Sequence, residues 1–318
     1  MVFAKSGTLA ERVEEIEAMP GYPVGASAEI QATIQDQEPF NFKDGISQPF
    51  VEGLDRPGEE AGRLPVKPGE FVLGYLNEYG KHAATPSVAT PDDPKRVLPR
   101  LGDTGRADIG RNGTFLVLRK LSQDIKSFSR FVAGDELLAA RMVGRWKNGA
   151  PLVVDQSDPG VGNASNDFGY YREDPHGMKC PIGSHIRRAN PRDALADPAG
   201  GVSAATALAQ VNLHRILRRG RMYSDGEEQG IVFVCLNTNI ERQFEFIQHT
   251  WLMGREFGGL HDETDPLTGN VDASGRRAMT IQKPLLAERR TDLGQFVCLK
   301  GGGYYFLPGL TALRYLAG

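Results

Sequence analysis

The stretch from Cys180 to Arg192 reads Cys-Pro-Ile-Gly-Ser-His-Ile-Arg-Arg-Ala-Asn-Pro-Arg and holds one histidine among small and turn-forming neighbours. A neutral imidazole such as that of His185 is a common protein ligand for a metal or for haem iron. The guanidinium groups of Arg187, Arg188 and Arg192 suit an anionic partner such as a propionate. The alternative is a polar loop whose histidine is merely solvated or hydrogen-bonded, so other stretches must decide. One is Phe40-Asn41-Phe42-Lys43-Asp44-Gly45-Ile46-Ser47-Gln48-Pro49-Phe50, where a carboxylate precedes glycine between large apolar residues. Asp44 there either caps an Asp-Gly turn or, held beside aromatic surface, carries a proton. Another is Val211 to Arg221, which packs His214, Arg215, Arg218, Arg219 and Arg221 into a short span. A solvated basic face is the ordinary reading of such a run.

The elements that must position these groups are legible in outline. Thr8 and Glu11 stand at capping-box spacing before Leu9, Val13 and Ile16, and Pro20 closes the pattern, which predicts a helix over 8–19. Ala28 to Gln35 alternates apolar and polar residues as a half-buried strand does. Residues 53–112 read as long surface connections with one strand, Phe71 to Leu76. Gly113 to Leu118 is a second strand, followed by helical spacing at Leu121, Ile125, Phe128 and Val132 and a further helix near Asp135 to Trp146. Pro151 to Tyr171 is turn-rich, and Ala194 to Ala209 reads as a small-residue connection. Ile231 to Leu236 is a nearly unbroken β-branched run, hence a central strand, and Glu241 to Leu252 places Phe244, Ile247 and Trp251 at helical spacing. Gln295 to Leu307 holds two apolar runs around Lys300-Gly301-Gly302-Gly303, a hairpin or a close backbone approach to a flat ligand. Strand followed by helix indicates an α+β layer.

Composition excludes several function classes. With Lys+Arg 37 against Asp+Glu 40 in 318 residues, the net charge of -3 supplies no basic field for nucleic acid or an anionic membrane. No apolar run reaches the roughly 18 residues that span a bilayer, and the N-terminus lacks the segments of a secretory signal. A natural N-terminus would therefore imply a cytoplasmic protein. Cys180, Cys235 and Cys298 lie far apart without a CxxC pair, which speaks against a disulfide framework or thiolate zinc site and for small buried residues. There is no GxxxxGK[ST], no GxGxxG between strand and helix, no HExxH and no GxSxG.

An isolated histidine, a carboxylate beside aromatics and a basic segment remain. Haem peroxide chemistry needs such parts: an axial imidazole, an acid/base to move a proton between the peroxide oxygens, and a cation to polarise the O–O bond. Here the chain resembles the dye-decolorising peroxidase family, in its longer-loop, fungal-like branch. Phe42-Lys43-Asp44-Gly45 with Ile46-Ser47-Gln48-Pro49 resembles the GxxDG signature, with Asn41 in place of its first glycine. Cys180-Pro181 through His185 to Asn190-Pro191-Arg192 resembles the proximal-histidine motif, and Ile216-Leu217-Arg218-Arg219-Gly220 the segment of the distal arginine.

The resemblance implies an α+β fold: a ferredoxin-like antiparallel sheet with helices, of the dimeric α+β barrel superfamily, with the haem in the second of two such domains. Most of the first domain precedes GxxDG in the family, so residues 1–37 would be its remnant and 38–318 the complete haem-binding domain, a shortened chain. It further implies one haem b per chain, with His185 as axial iron ligand, Asp44 and Arg218 as catalytic residues, and Arg218 and Arg188 against the haem. The partners would be hydrogen peroxide and small aromatic substrates such as phenols or dyes, with no nucleic acid and no membrane. A haem-binding protein of the same fold with little turnover is the alternative of a different class, and a chlorite-dismutase-like role is disfavoured by the GxxDG-like segment. An axial imidazole gains from donating its second N–H to a carboxylate, for which Glu241 and Glu245, one helical turn apart, are candidates. Trp146, Trp251, Tyr304 and Tyr305 are, by residue type, candidates to carry electrons to the surface.

Overall fold

A computed structural model describes residues 8–18, 32–33, 35–54, 65–154, 164–226 and 228–318. The chain divides into two compact units, 1–32 and 33–318. In the first, the helix predicted over 8–19 forms as α1, Leu9–Glu17. The strand expected over 28–35 lies mostly outside the described residues; of it, Thr33 pairs with Met222 within the second unit.

The second unit opens with two short pairing strands, β1 (Ser87–Ala89) and β2 (Arg106–Asp108). Then comes β3 (Thr114–Gln123), five residues longer at its C-terminal side than the strand expected as far as Leu118, so that Leu121 belongs to the sheet and not to the next helix. Asp124 caps that helix, α2 (Ile125–Val132), by accepting from Ser127 N. Asp135 does the same for α3 (Glu136–Val143) through Leu138 N. The segment that begins at His185 forms α4 (His185–Ala189), and α5 (Ala204–Asn212) follows under a Ser203 cap. Two short strands, β4 (Leu217–Arg218) and β5 (Arg221–Asp225), and one long one, β6 (Glu228–Asn237), complete the middle of the chain. Two π-helical segments, Glu241–Glu245 and Ile247–Leu252, precede the hairpin β7 (Arg277–Ile281) and β8 (Glu288–Leu293). The edge strand β9 (Val297–Leu307) and α6 (Leu310–Leu316) end it.

The main sheet is antiparallel in the order β4-β6-β3-β9, with β5 also on β6. The β-branched run Ile231–Leu236 is thus central, as its sequence predicts, and the strand–helix–strand–strand–helix–strand order is ferredoxin-like. One core joins Phe40, Phe42, Phe128, Val132, Leu138, Leu293 and Phe296, so the Asp44 loop is anchored beside α2 and α3.

Three expectations fail. Phe71 to Leu76 is not a strand: a 3-10 turn at Pro68–Glu70 leads into it, and Gly74, at φ 88, breaks an extended path. The connection Ala194 to Ala209 contains the start of α5, because Ser203 supplies a cap that small residues can follow. Gln295 to Leu307 is one strand, not a hairpin, and its glycines serve β3: a Cβ at Gly302 would collide with Leu118 O.

Candidate functional site

His185 opens a helix of only five residues, so its orientation depends on anchors outside that helix. The Arg187 guanidinium, buried, donates to Asp174 Oδ2 (3.1 Å), Asp174 O (2.9 Å) and Cys180 O (2.9 Å) and lies 4.4 Å over Tyr170. Fully buried Arg188 donates to Trp251 O, Gly254 O and Glu263 O at 2.8 to 2.9 Å. The Arg188 expectation is thereby corrected: its guanidinium ties α4 to the chain after the π-helical segments rather than facing a cofactor. At the other side of α4, Gly144 (φ 102) ends α3 where a Cβ would strike Ile186.

His185 Nδ1 lies 2.9 Å from Asp265 Oδ2, and the geometry is that of an N–H donating to a carboxylate. Asp265 is fully buried and also accepts from Leu267 N (3.0 Å), Thr268 N (2.7 Å) and Thr268 Oγ1 (2.9 Å). Its loop is held by β7, since Arg277 donates to Asp265 O at 2.7 Å, and by Asp265 N donating to Leu252 O at 2.8 Å. Burial alone would raise the Asp265 pKa; the charge and hydrogen bond of His185, the Thr268 N–H and Arg188 outweigh it and hold the carboxyl below its ordinary range. For His185, burial pushes downward, yet the Asp265 charge and bond prevail, so the imidazole is raised above its ordinary value; Arg218 opposes and Glu38 assists. His185 keeps 29% of its side chain accessible beside a wholly inaccessible Asp265, and no described residue bonds its Nε2. The sequence expectation of Glu241 or Glu245 as this partner is overturned. Glu241 is exposed and Glu245 accepts from Tyr304 Oη at 2.9 Å, because the inward face of their segment is taken by Gln243 and Phe244.

Asp44 follows a small hairpin. Gln37 bridges Lys43, and Asp44 N donates to Asp36 O at 3.0 Å. Asn41, where the family signature has glycine, takes φ 69, a left-handed conformation that Asn tolerates better than most side chains. Asp44 is half-buried, and among the described residues nothing donates to its carboxylate. Arg218 comes from β4, whose backbone is stitched to the same loop by Arg218 N donating to Gln48 Oε1 at 3.1 Å. Its guanidinium makes no hydrogen bond among the described residues, while its charge registers on His185, Arg145, Arg215 and Cys235. Arg218 thus meets the Asp44 loop at Gln48 and its charge acts on His185, and among the described residues the Asp44 carboxylate, His185 Nε2 and Arg218 guanidinium have no hydrogen-bond partner.

Arg218 is one of several cations that act on one another. Arg192 and Arg145 meet at Asn166, donating to its Oδ1 at 3.4 and 2.7 Å, and each also donates to backbone carbonyls. Arg215 has no counter-ion among the described residues; desolvation and then the like charges of Arg192 and Arg218 push it down to about 9. Its carbonyl is fixed by buried Gln243, whose Nε2 donates to Arg215 O at 2.6 Å. A guanidinium without a counter-ion has the chemistry to receive an anionic ligand. The sequence marked Arg215 only as part of a basic run, and nothing local marked Asp265. Of the aromatic candidates, Trp146 and Trp251 are buried, whereas Tyr304 and Tyr305 are exposed.

No protein-family model matches the chain. A dye-decolorizing peroxidase of Mycena epipterygia is 32% identical over 338 residues, covering 89% of this chain and 58% of that protein. The multifunctional dye peroxidase DyP2 of Amycolatopsis sp. is 30% identical, covering 88% of this chain and 61% of that one. Among solved structures, an ancestral D-type dye decolorizing peroxidase superposes with a TM-score of 0.73 at 29% identity, over 98% of this chain and 71% of that chain. The chain therefore spans less than two thirds of the length of these curated relatives.

Proposed function

We propose, from the premise that the chain belongs to the dye-decolorising peroxidase family, that it bears the haem of a peroxidase that uses hydrogen peroxide to oxidise phenols and dyes. The observation that carries this reading is the His185–Asp265 pair: Nδ1 is fixed on a buried carboxylate while no described residue bonds Nε2. The residues suit a haem b, one per chain. His185 would ligate the iron, and Arg215 with Arg192 would take a propionate, a role the sequence suggested for Arg187, Arg188 and Arg192. When bound, the haem supplies the redox chemistry.

The protein's own part is positioning and charge. Asp265 sets the tautomer of His185, so that Nε2 is the coordinating atom, and makes that nitrogen more electron-rich. The Asp44 carboxylate takes a proton from one peroxide oxygen and returns it to the departing one. The Arg218 guanidinium stabilises the charge that develops as the O–O bond breaks.

Purified protein should bind haem stoichiometrically with a histidine-ligated ferric spectrum, lose that ligation in His185→Ala, and oxidise a phenol or dye only with peroxide present. Stoichiometric haem binding without peroxide-dependent oxidation would favour a haem-carrying protein instead. An unchanged spectrum in His185→Ala would overturn the axial assignment.

A further inference from the structure

Six residues before Asp44 stands a second carboxylate that the proposed mechanism does not use. Glu38 lies inside the small hairpin that delivers Asp44: Glu38 N donates to Phe42 O (2.9 Å), Asn41 N donates to Glu38 O (2.7 Å), and Asn41 closes the three-residue loop in the left-handed region. The Glu38 side chain folds back under this loop. Oε2 accepts from Phe40 N at 3.1 Å and Oε1 from Phe42 N at 2.9 Å, so both amides flanking Asn41 are held by one carboxylate. Across the molecule, Gln123 of β3 donates its Nε2 to Oε2 at 2.5 Å. Gln123 Oε1, buried, has no partner among the described residues, so Glu38 orients that amide.

Anchoring alone does not require an acid here. Phe40 and Phe42 are buried, and Phe40 stacks on Phe128 with centroids 4.3 Å apart, which already holds the hairpin to the core. Ring packing is non-directional and tolerates rotation of the loop, whereas hydrogen bonds to a carboxylate fix direction. The acid is retained against a real cost. Burial raises its pKa, the bonds from Gln123, Phe42 and Phe40 pull it back only in part, and the neighbouring Asp44 charge adds to the rise.

We propose that Glu38 is a positioning residue for Asp44: tied to β3 through Gln123, it fixes the hairpin tip and so aims the carboxylate two residues after Phe42. The assignment rests on the peroxidase reading for its catalytic consequence but not for its structural one. A misplacement of about 1 Å at a reacting group costs on the order of 10²-fold in rate.

The test uses the haem-loaded protein and four variants: Glu38→Ala, Gln123→Leu, Asp44→Asn, and Glu38→Ala combined with Asp44→Asn. Glu38→Ala should slow the reaction with peroxide by roughly 10- to 100-fold while haem absorption and affinity stay unchanged. In the Asp44→Asn background the same change should add less than about 3-fold, because its effect passes through Asp44. Gln123→Leu should repeat the pattern and stands in if Glu38→Ala does not fold. Full additivity, or an unaffected rate in both variants, would overturn the proposal. Amide exchange gives a second reading that needs no turnover: Phe42 and Asp44 should exchange at least about 10-fold faster in Glu38→Ala, with β3 and β6 unaltered. Wild-type protein that binds haem yet ignores peroxide would sink the enzyme reading while exchange still decides the role of Glu38.

Discussion

Asp265 is buried with three hydrogen bonds from its own loop besides the one from His185, so it is held rigidly whether or not the imidazole is loaded. Its replacement by Asn keeps the shape and removes the charge. Asp265→Asn should retain haem, raise the ferric/ferrous potential, and lower affinity or activity by about 10–100-fold. Spectroelectrochemistry decides this, and an unmoved potential would take Asp265 out of the tuning of the ligand. Asp44 has a different duty, since no described residue donates to its carboxylate. Asp44→Asn should slow the peroxide reaction by about 10²–10⁴-fold in stopped-flow mixing, leaving the resting spectrum intact. A rate within a factor of about two of wild type would leave Arg218 as the main catalyst.

The elements that carry these residues are short and borrow rigidity from elsewhere. α4 is five residues long and is held by two buried arginines that bond backbone carbonyls, not by its own ladder. The Asp44 hairpin depends on one left-handed residue, Asn41 at φ 69, which is why the glycine of the family signature can be Asn here. Asn41→Gly should therefore keep both stability and peroxide rate. Asn41→Val forces a β-branched side chain into that region and should cost about 1–2 kcal/mol in urea unfolding, with a loss of peroxide rate as the loop rotates. Equal stability of the two variants would show that the loop reaches Asp44 by another backbone path.

At the scale of the molecule, stability itself should depend on pH through His214. Its ring stacks on Phe246 with centroids 3.8 Å apart, and Nδ1 donates to Arg242 O at 2.6 Å. Burial, and secondarily the Arg242 charge, lower its pKa below the ordinary 6.5, against the opposing effect of the hydrogen bond. The folded state thus resists a proton that the unfolded chain accepts, so stability is full above 6.5 and declines as pH falls from there toward the folded pKa. In haem-loaded protein, urea midpoints between about pH 7.5 and about pH 5 should fall less for His214→Phe than for wild type; parallel curves would refute the assignment. The features legible in the amino-acid sequence are local: the helix begun at Thr8, the strand runs at 113–118 and 231–236, and the motifs around Asp44, His185 and Arg218, because periodicity, capping and motif spacing are written among near neighbours. Which distant groups meet these residues follows from tertiary packing. Asp265 lies 80 residues from His185, Gln123 lies 85 from Glu38, and Arg188 is engaged by carbonyls 63 to 75 residues away. A buried polar group takes whichever partner the fold delivers within hydrogen-bond reach, and that is set by the packing of strands and loops far apart in the chain, not by the residues beside it.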